Sequence, residues 1–71
     1  MSIEEFNLYL IEQQNLGNYL IIYRGNGAEV LYDEDILSLV KYFSFIENII
    51  EEQGKIVITL IGGNKITLKE F

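Results

Sequence analysis

The chain of 71 residues contains no cysteine, no histidine, no proline and no tryptophan. Without cysteine it cannot form a disulfide, and without cysteine or histidine it lacks the usual ligands of structural zinc. The absence of cysteine also fits a reducing compartment, so we expect a cytoplasmic protein. A chain of this length buries only about 60% of the surface of its unfolded form. We therefore expect residues 1–71 to form a single domain that depends on good packing or on association between copies.

Long apolar runs are absent as well. No run approaches the roughly 18 residues of a membrane span, and residues 1–15 carry acids rather than the basic start of a signal peptide. Ser2, Ser38 and Ser44 have no histidine that could activate them as nucleophiles. We therefore expect no membrane segment, no catalytic residue and no cofactor, and we predict a protein that is not an enzyme.

Basic residues are scarce. Five lysines and arginines against eleven aspartates and glutamates give a net charge of −6 and a sequence pI of about 4.3. Direct binding to nucleic acid requires clustered lysine and arginine, so the composition argues against it. An acidic surface either keeps a protein soluble or attracts a partner protein with a basic surface.

The first half of the chain predicts a helix followed by a hairpin. Ser2 and Glu5 have the spacing of a capping box, which begins a helix over residues 2–15, and Gly17 is suited to end it. Branched and aromatic residues then predict two strands around a glycine-bearing turn. These strands cover residues 19–24 and 28–32.

The second half predicts the same order of elements. A long helix is expected over residues 34–53, with Gly54 at its end. Its main apolar stripe consists of Ile36, Leu39, Phe43, Ile46 and Ile50. Strands are predicted at residues 56–61 and 65–69, with Ile66 and Leu68 facing the same core as the stripe. The predicted fold is α+β, in the order α-β-β-α-β-β, with a four-stranded antiparallel sheet packed against two helices.

Two kinds of local motif have simple structural explanations. The glycine-bearing stretches RGNGAE (24–29) and GGNKIT (62–67) each join two strands, whereas a phosphate-binding loop joins a strand to a helix. Asp33, Glu34 and Asp35 follow one another at a predicted helix start, where one of them can cap the helix. Consecutive helical residues point in different directions, so these acids do not converge on one ion and we expect no metal site.

Other features favour protein binding. Tyrosine is enriched at interfaces, and Tyr19 and Tyr23 share one face of the first predicted strand. Glu47, Glu51 and Glu52 lie near the end of the predicted long helix, where negative charge opposes the helix dipole. Leu37 and Phe45 lie outside the main apolar stripe, and they are either covered by the first helix or exposed as an interface.

These features lead to two hypotheses about function. In the first, carboxylates replace phosphates against the basic surface of a nucleic-acid-binding protein, and neighbouring aromatic groups add contact area. The candidate partner-binding residues are Glu29, Asp33, Glu34, Asp35, Tyr23 and Tyr32. In the alternative, the protein is a self-associating interaction module, a homodimer without mimicry. The candidate self-association residues are Tyr19, Ile21, Leu37 and Phe45.

The segment LIIYRGNGAEVLYDEDILSLVKYF, residues 20–43, resembles the hairpin and helix of small acidic phage-encoded anti-CRISPR proteins that inhibit Cas9. The shared features are Leu20 to Ile22, Gly27, Glu29, Val30 and an acidic start to an amphipathic helix. The resemblance implies a DNA mimic from a phage or mobile element that acts in the host cytoplasm. Such a mimic blocks the site with which Cas9 reads the short DNA motif beside its target. It implies that Glu29, Asp33, Glu34 and Asp35 supply the mimicking charges. The second hairpin, with Lys65 and Lys69, departs from that family.

Overall fold

The computed structural model describes residues 1–70, so Phe71, the last residue of the predicted domain, lies outside the described residues. The first helix, α1, spans Ile3–Asn15. The Ser2 hydroxyl accepts a hydrogen bond from the Glu5 N–H, and the Glu5 carboxylate accepts one from the Ser2 N–H, both at 3.0 Å. Gly17, with φ +71°, ends the helix in the left-handed region that glycine adopts readily. The predicted helix and both of its end signals are confirmed.

Five strands form one antiparallel sheet. They are β1 (Leu20–Arg24), β2 (Gly27–Leu31), β3 (Ile46–Glu52), β4 (Lys55–Leu60) and β5 (Lys65–Glu70). Their order across the sheet is β2-β1-β5-β4-β3, so the last strand lies in the centre and joins the two halves of the chain. The predicted α+β class and both predicted hairpins are confirmed, but the sheet has five strands rather than four.

The predicted long helix over residues 34–53 is wrong after Phe45. Glu34–Leu37 forms one turn of α-helix, α2, and Ser38–Phe45 continues as a 3₁₀ helix. The rest is β3, which turns into β4 through Gln53 and Gly54, with φ +72° at Gly54.

The side chains of this segment explain the difference. Branched residues such as Ile49 and Ile50 favour strands, and Glu47 and Glu51 would repel each other one turn apart on a helix. Acids at the end of a helix would also oppose its dipole, whereas in a hairpin they meet no such penalty. The glutamates that seemed misplaced on a helix were therefore a sign that residues 46–52 are not helical.

The core lies between one side of the sheet and the helices. Its buried residues are Phe6, Leu10, Leu20, Ile22, Leu31, Ile36, Leu39, Ile49, Ile56, Ile58, Ile66 and Leu68. The structure confirms Ile66, Leu68, Ile36 and Leu39 as core residues, and Phe43 and Ile46 pack partly buried against them. Ile50 was wrongly predicted to be in the core: it is 44% exposed, because the alternation of β3 turns it to the other side of the sheet.

The opposite side of the sheet, which we call the open face, carries no helix of the described chain. The paired side chains on it include Ile21 with Val30, Tyr23 with Ala28, and Val57 with Thr67. Tyr23, Val30 and Ile50 are all exposed there. Within residues 1–70, no helix is long and apolar enough to cross a membrane.

Candidate partner-binding surface

The two sides of the sheet differ in charge, although Arg24, which pairs with buried Ile66, is on the helix-bearing side. Lys65 and Lys69 flank Thr67 on β5, and Lys55 pairs with Lys69 in register, so all three lysines belong to the open face. Glu29 pairs with buried Ile22, Glu51 with buried Ile56, and Glu70 with buried Leu20, which places these acids on the helix-bearing side. The helix-bearing side is therefore the more acidic of the two.

Few of these acids are neutralised. Within residues 1–70 the ion pairs are Arg24 with Glu29 at 3.2 Å and Lys55 with Glu52 at 3.5 Å. Two of the eleven carboxylates are thus paired, and the other nine have no ion pair in this part of the chain. Glu52, one of the paired acids, is on the open face, where it lies opposite Lys55 beside the β3–β4 turn.

Glu29 differs from the other predicted partner-binding acids. Its carboxylate pairs with the Arg24 guanidinium, which also donates a hydrogen bond to the Tyr42 hydroxyl. The charge of Glu29 is therefore already opposed within the chain, near the end of the sheet that contains the β1–β2 turn.

Asp33, Glu34 and Asp35 remain together and exposed at the start of α2. Asp33 takes the N-cap position, but its side chain makes no capping hydrogen bond to the described residues. Its backbone has φ +52° and ψ −126°, a region that non-glycine residues rarely occupy. Because helix capping does not use the Asp33 carboxylate, that group is available to a partner.

The two predicted tyrosines lie apart from the helix-side acids. Tyr23 is on the open face, with the Lys69 ammonium 5.7 Å from its ring centroid. Tyr32 stacks on Tyr19, with ring centroids 5.3 Å apart and an angle of 17° between the rings. The structure thus places Tyr23 and Glu29 on opposite sides of the sheet, whereas Tyr32 directly precedes Asp33 in the chain.

The predicted self-association residues are divided in a similar way. Tyr19 and Ile21 lie beside or on the open face, next to Tyr23. Leu37 packs partly buried against the core. Phe45 is 56% exposed at the end of the 3₁₀ helix, and it lines a cavity near the β4–β5 turn. Only the first two of these residues can therefore contribute to one interface.

Sequence reasoning missed an acidic cluster around Tyr9. The Tyr9 hydroxyl donates a hydrogen bond to the Glu70 carboxylate at 3.3 Å. Burial raises the pKa of Tyr9 above its usual 10.0, and the nearby charges of Glu70, Glu51 and Glu12 raise it further. The alternation of Ile66, Leu68 and Glu70 along β5 could have placed Glu70 on this side, whereas Glu51 was hidden by its assignment to a helix.

The cluster borders a cavity of about 260 Å³ at the end of the sheet that contains the β3–β4 turn. Its lining includes Tyr9, Glu51 and Glu70 from the helix-bearing side, with Glu52 and Lys55 at the turn. We call this the acidic cavity. Among residues 1–70, no group of three or more carboxylates is arranged to hold a metal ion. The arrangement instead suits a basic side chain, which can approach several carboxylates at once.

No protein family, no curated protein and no solved structure matches this chain. Its function is therefore inferred from the position and chemistry of its own side chains.

Proposed function

We propose that this chain is a small acidic inhibitor that occupies the basic surface with which another protein binds nucleic acid. The resemblance of residues 20–43 to anti-CRISPR proteins supports the narrower proposal of an anti-defence protein of a phage or mobile element that acts in the cytoplasm of the host. The observation that carries this proposal is the unequal distribution of charge between the two sides of the sheet, with more acids on the helix-bearing side and three lysines on the open face. Within residues 1–70, nine carboxylates make no ion pair, and several of them are gathered on the helix-bearing side, which gives that side a negative surface.

Such a surface can compete with nucleic acid because carboxylates form the same charge-assisted hydrogen bonds with lysine and arginine as phosphates do. Around the acidic cavity, Glu51 and Glu70 are held by two different strands of one sheet. Asp33, Glu34 and Asp35 are presented from the loop and first turn of α2. The backbone positions of these acids are therefore fixed before binding, and the Glu70 carboxylate is also held by Tyr9, which reduces the entropy lost when the complex forms.

The sharpest test uses two adjacent residues of β3. Glu51 is on the helix-bearing side and has no ion pair within residues 1–70, whereas its neighbour Glu52 is on the open face and pairs with Lys55. Both line the acidic cavity, so E51Q removes an unpaired charge there and E52Q removes one that Lys55 already opposes. Guide-loaded Cas9 is the first probe, and the measurement is its binding to target DNA as the chain is added. We expect inhibition that E51Q weakens more than E52Q does, and that weakens as salt rises.

A second arm covers other nucleic-acid-binding proteins. The immobilised chain is exposed to a bacterial lysate and eluted with duplex DNA, and each eluted protein is then tested in purified form for nucleic-acid binding blocked by the chain. If Cas9 is unaffected while another protein is blocked, the target class is right and the anti-CRISPR assignment is wrong. If no protein eluted by DNA is blocked by the chain, the proposal as a whole is wrong.

Self-association through the open face is the second candidate function. Tyr19, Tyr23, Val30 and Tyr32 form an exposed aromatic and apolar area on the first hairpin, which fits a two-fold homodimer. Sedimentation at tens of micromolar tests this, with Y23S and V30S as disrupting variants. Dimerisation of this kind should change little with salt, because apolar burial drives it. A monomer throughout this range would exclude the dimer as the functional form.

A further inference from the structure

The end of the sheet opposite the acidic cavity contains a second concave surface. Two cavities, of about 570 and 450 Å³, meet there between the β1–β2 turn, the β4–β5 turn and the 3₁₀ helix. They share Tyr42, Leu60 and Asn64 as lining residues, so the two cavities adjoin each other. We call the pair the basic groove, and its size is in the range of small-molecule sites.

The charge of this groove is opposite to that of the whole protein. Arg24 and Lys65 line one of its two cavities and Lys41 lines the other, and no carboxylate of residues 1–70 lines either. Three of the five basic residues of the chain thus meet at one place, in a protein whose net charge is −6. Lys41 and Lys65 have no ion pair within the described chain. Glu29 pairs with Arg24 at 3.2 Å without lining either cavity.

One flank of the groove is apolar and open to solvent. Phe45 and Ile61 are 56% and 66% exposed, and both line the cavity that Lys41 also lines. The Ile61 N–H donates a 2.7 Å hydrogen bond to the Phe45 carbonyl, which holds these two residues next to each other. An exposed phenylalanine beside cations offers a flat surface for a base, because stacking on an aromatic ring stabilises a bound nucleotide.

The position of Tyr42, between the two cavities, is fixed by its neighbours. Its hydroxyl accepts a hydrogen bond from Arg24, and the Lys41 ammonium lies 5.2 Å from its ring centroid. Next to it, Gly25 and Gly63 have φ of +53° and +94°, and open space lies where their side chains would be. A ligand can therefore approach the backbone of both turns closely.

We propose that the basic groove binds a nucleotide, with the phosphate near Arg24 and Lys65 and the base against Phe45 and Ile61. The nucleotide can be a free molecule or part of a single strand, because both present the same phosphate and base. The net charge of −6 argues against direct binding of nucleic acid by the protein surface as a whole. The basic groove is an exception, because Arg24, Lys41 and Lys65 line it and no carboxylate of residues 1–70 does. This inference is independent of the proposed inhibitory function, which uses the carboxylates of the helix-bearing side.

The test is a titration of the isotope-labelled chain with AMP, followed by NMR of the backbone amides. We expect saturable shifts at Gly25, Phe45 and the β4–β5 turn, and none around Tyr9. Ribose 5-phosphate and adenosine should each bind more weakly than AMP, because the first lacks the base and the second lacks the phosphate. A short single-stranded oligoadenylate identifies the source: tighter binding than AMP at the same amides indicates a strand, and weaker binding indicates a free nucleotide.

Variants on the two ends of the sheet provide the control. K65Q and F45A should each weaken AMP binding by about tenfold, the effect of losing one charge-assisted contact or one stacking contact. K55Q removes a lysine from the far end and should leave the affinity unchanged. Lys65 and Phe45 are exposed and Lys55 is partly exposed, and circular dichroism verifies that each variant is folded. Shifts that do not saturate, or an equal loss in K55Q and K65Q, would overturn the proposal.

Discussion

The hydroxyl of Tyr9 and the carboxylate of Glu70 form a 3.3 Å hydrogen bond although they are 61 residues apart in sequence. The bond connects α1 to the end of the central strand, beside the acidic cavity. It brings a tyrosine into contact with one carboxylate and within the field of two others, Glu51 and Glu12.

The first prediction follows from the raised pKa of Tyr9. Above about pH 10 the unfolded chain releases this proton while the folded chain retains it, so the free energy of unfolding should decrease as pH rises further. Below that pH the hydroxyl is protonated in both states and has no such effect. Urea denaturation at about pH 8 and about pH 11 should show a larger loss for the wild type than for Y9F. Lysines titrate in the same pH range and also change the stability there. If the wild type and Y9F lose the same free energy of unfolding, Tyr9 is therefore not responsible for the loss.

The second prediction concerns the aromatic part of the core. Phe6 is 1% exposed and its ring centroid lies 5.7 Å from that of Phe43, which is only partly buried. F6A should reduce the free energy of unfolding by about 3–5 kcal/mol, and F43A should reduce it by less. Thermal and urea denaturation compare the two variants. If F43A loses more free energy of unfolding than F6A, the result would support the apolar stripe predicted from sequence, which includes Phe43, over the observed packing.

The third prediction distinguishes strand from helix at residues 46–52. Ile49 is buried at 5% exposure and the next residue, Ile50, is on the open face. I49A should destabilise the protein by about 2–5 kcal/mol, and I50A should have a much smaller effect in the monomer. The apolar stripe of the helix predicted from sequence includes Ile50 and excludes Ile49. It therefore predicts a larger loss of stability for I50A than for I49A.

The fourth prediction concerns Asp33, whose φ of +52° is unfavourable for a residue with a side chain. D33G should stabilise the protein by about 1 kcal/mol, since glycine adopts this conformation without strain. D33N keeps the strain and removes the charge, so it should leave the stability near that of the wild type.

These two variants also separate the roles of Asp33. If the carboxylate contacts a basic partner, D33G and D33N should both weaken binding although only D33G gains stability. If D33N binds as well as the wild type, Asp33 has no part in recognition. A D33G protein less stable than the wild type would show that the backbone is not strained here.

The sequence predicted the elements that depend on neighbouring residues. The capping box at Ser2, the glycine at position 17 and the turns between branched segments act within a few residues, so α1 and the two predicted hairpins could be recognised. Residues 46–52 were ambiguous, because Ile46 and Ile50 fit a helical spacing as well as a strand. Only the pairing of β3 with β4 decides between them, and that pairing follows from the Gln53–Gly54 turn.

The candidate surfaces were harder to predict because they depend on register and on contacts between distant segments. The acids at 33–35 are neighbours in the sequence and are exposed together, and their part in partner binding stays a prediction. The position of Glu29 beside Arg24 requires the β1–β2 register. The basic groove joins Arg24, Lys41 and Lys65, which lie far apart in the sequence. No local pattern links these residues, so composition alone suggested a uniformly acidic protein.

The central position of β5 has a consequence for how the chain folds. Each of the hairpins β1–β2 and β3–β4 can form from neighbouring residues, but the two become one sheet only when β5 inserts between β1 and β4. The pairing of Ile21 with Lys69 closes a loop of about two thirds of the chain, and such non-local contacts slow folding. Until that step, both hairpins leave a long strand edge unpaired, so the nascent chain should be most prone to aggregation before residues 65–70 are available.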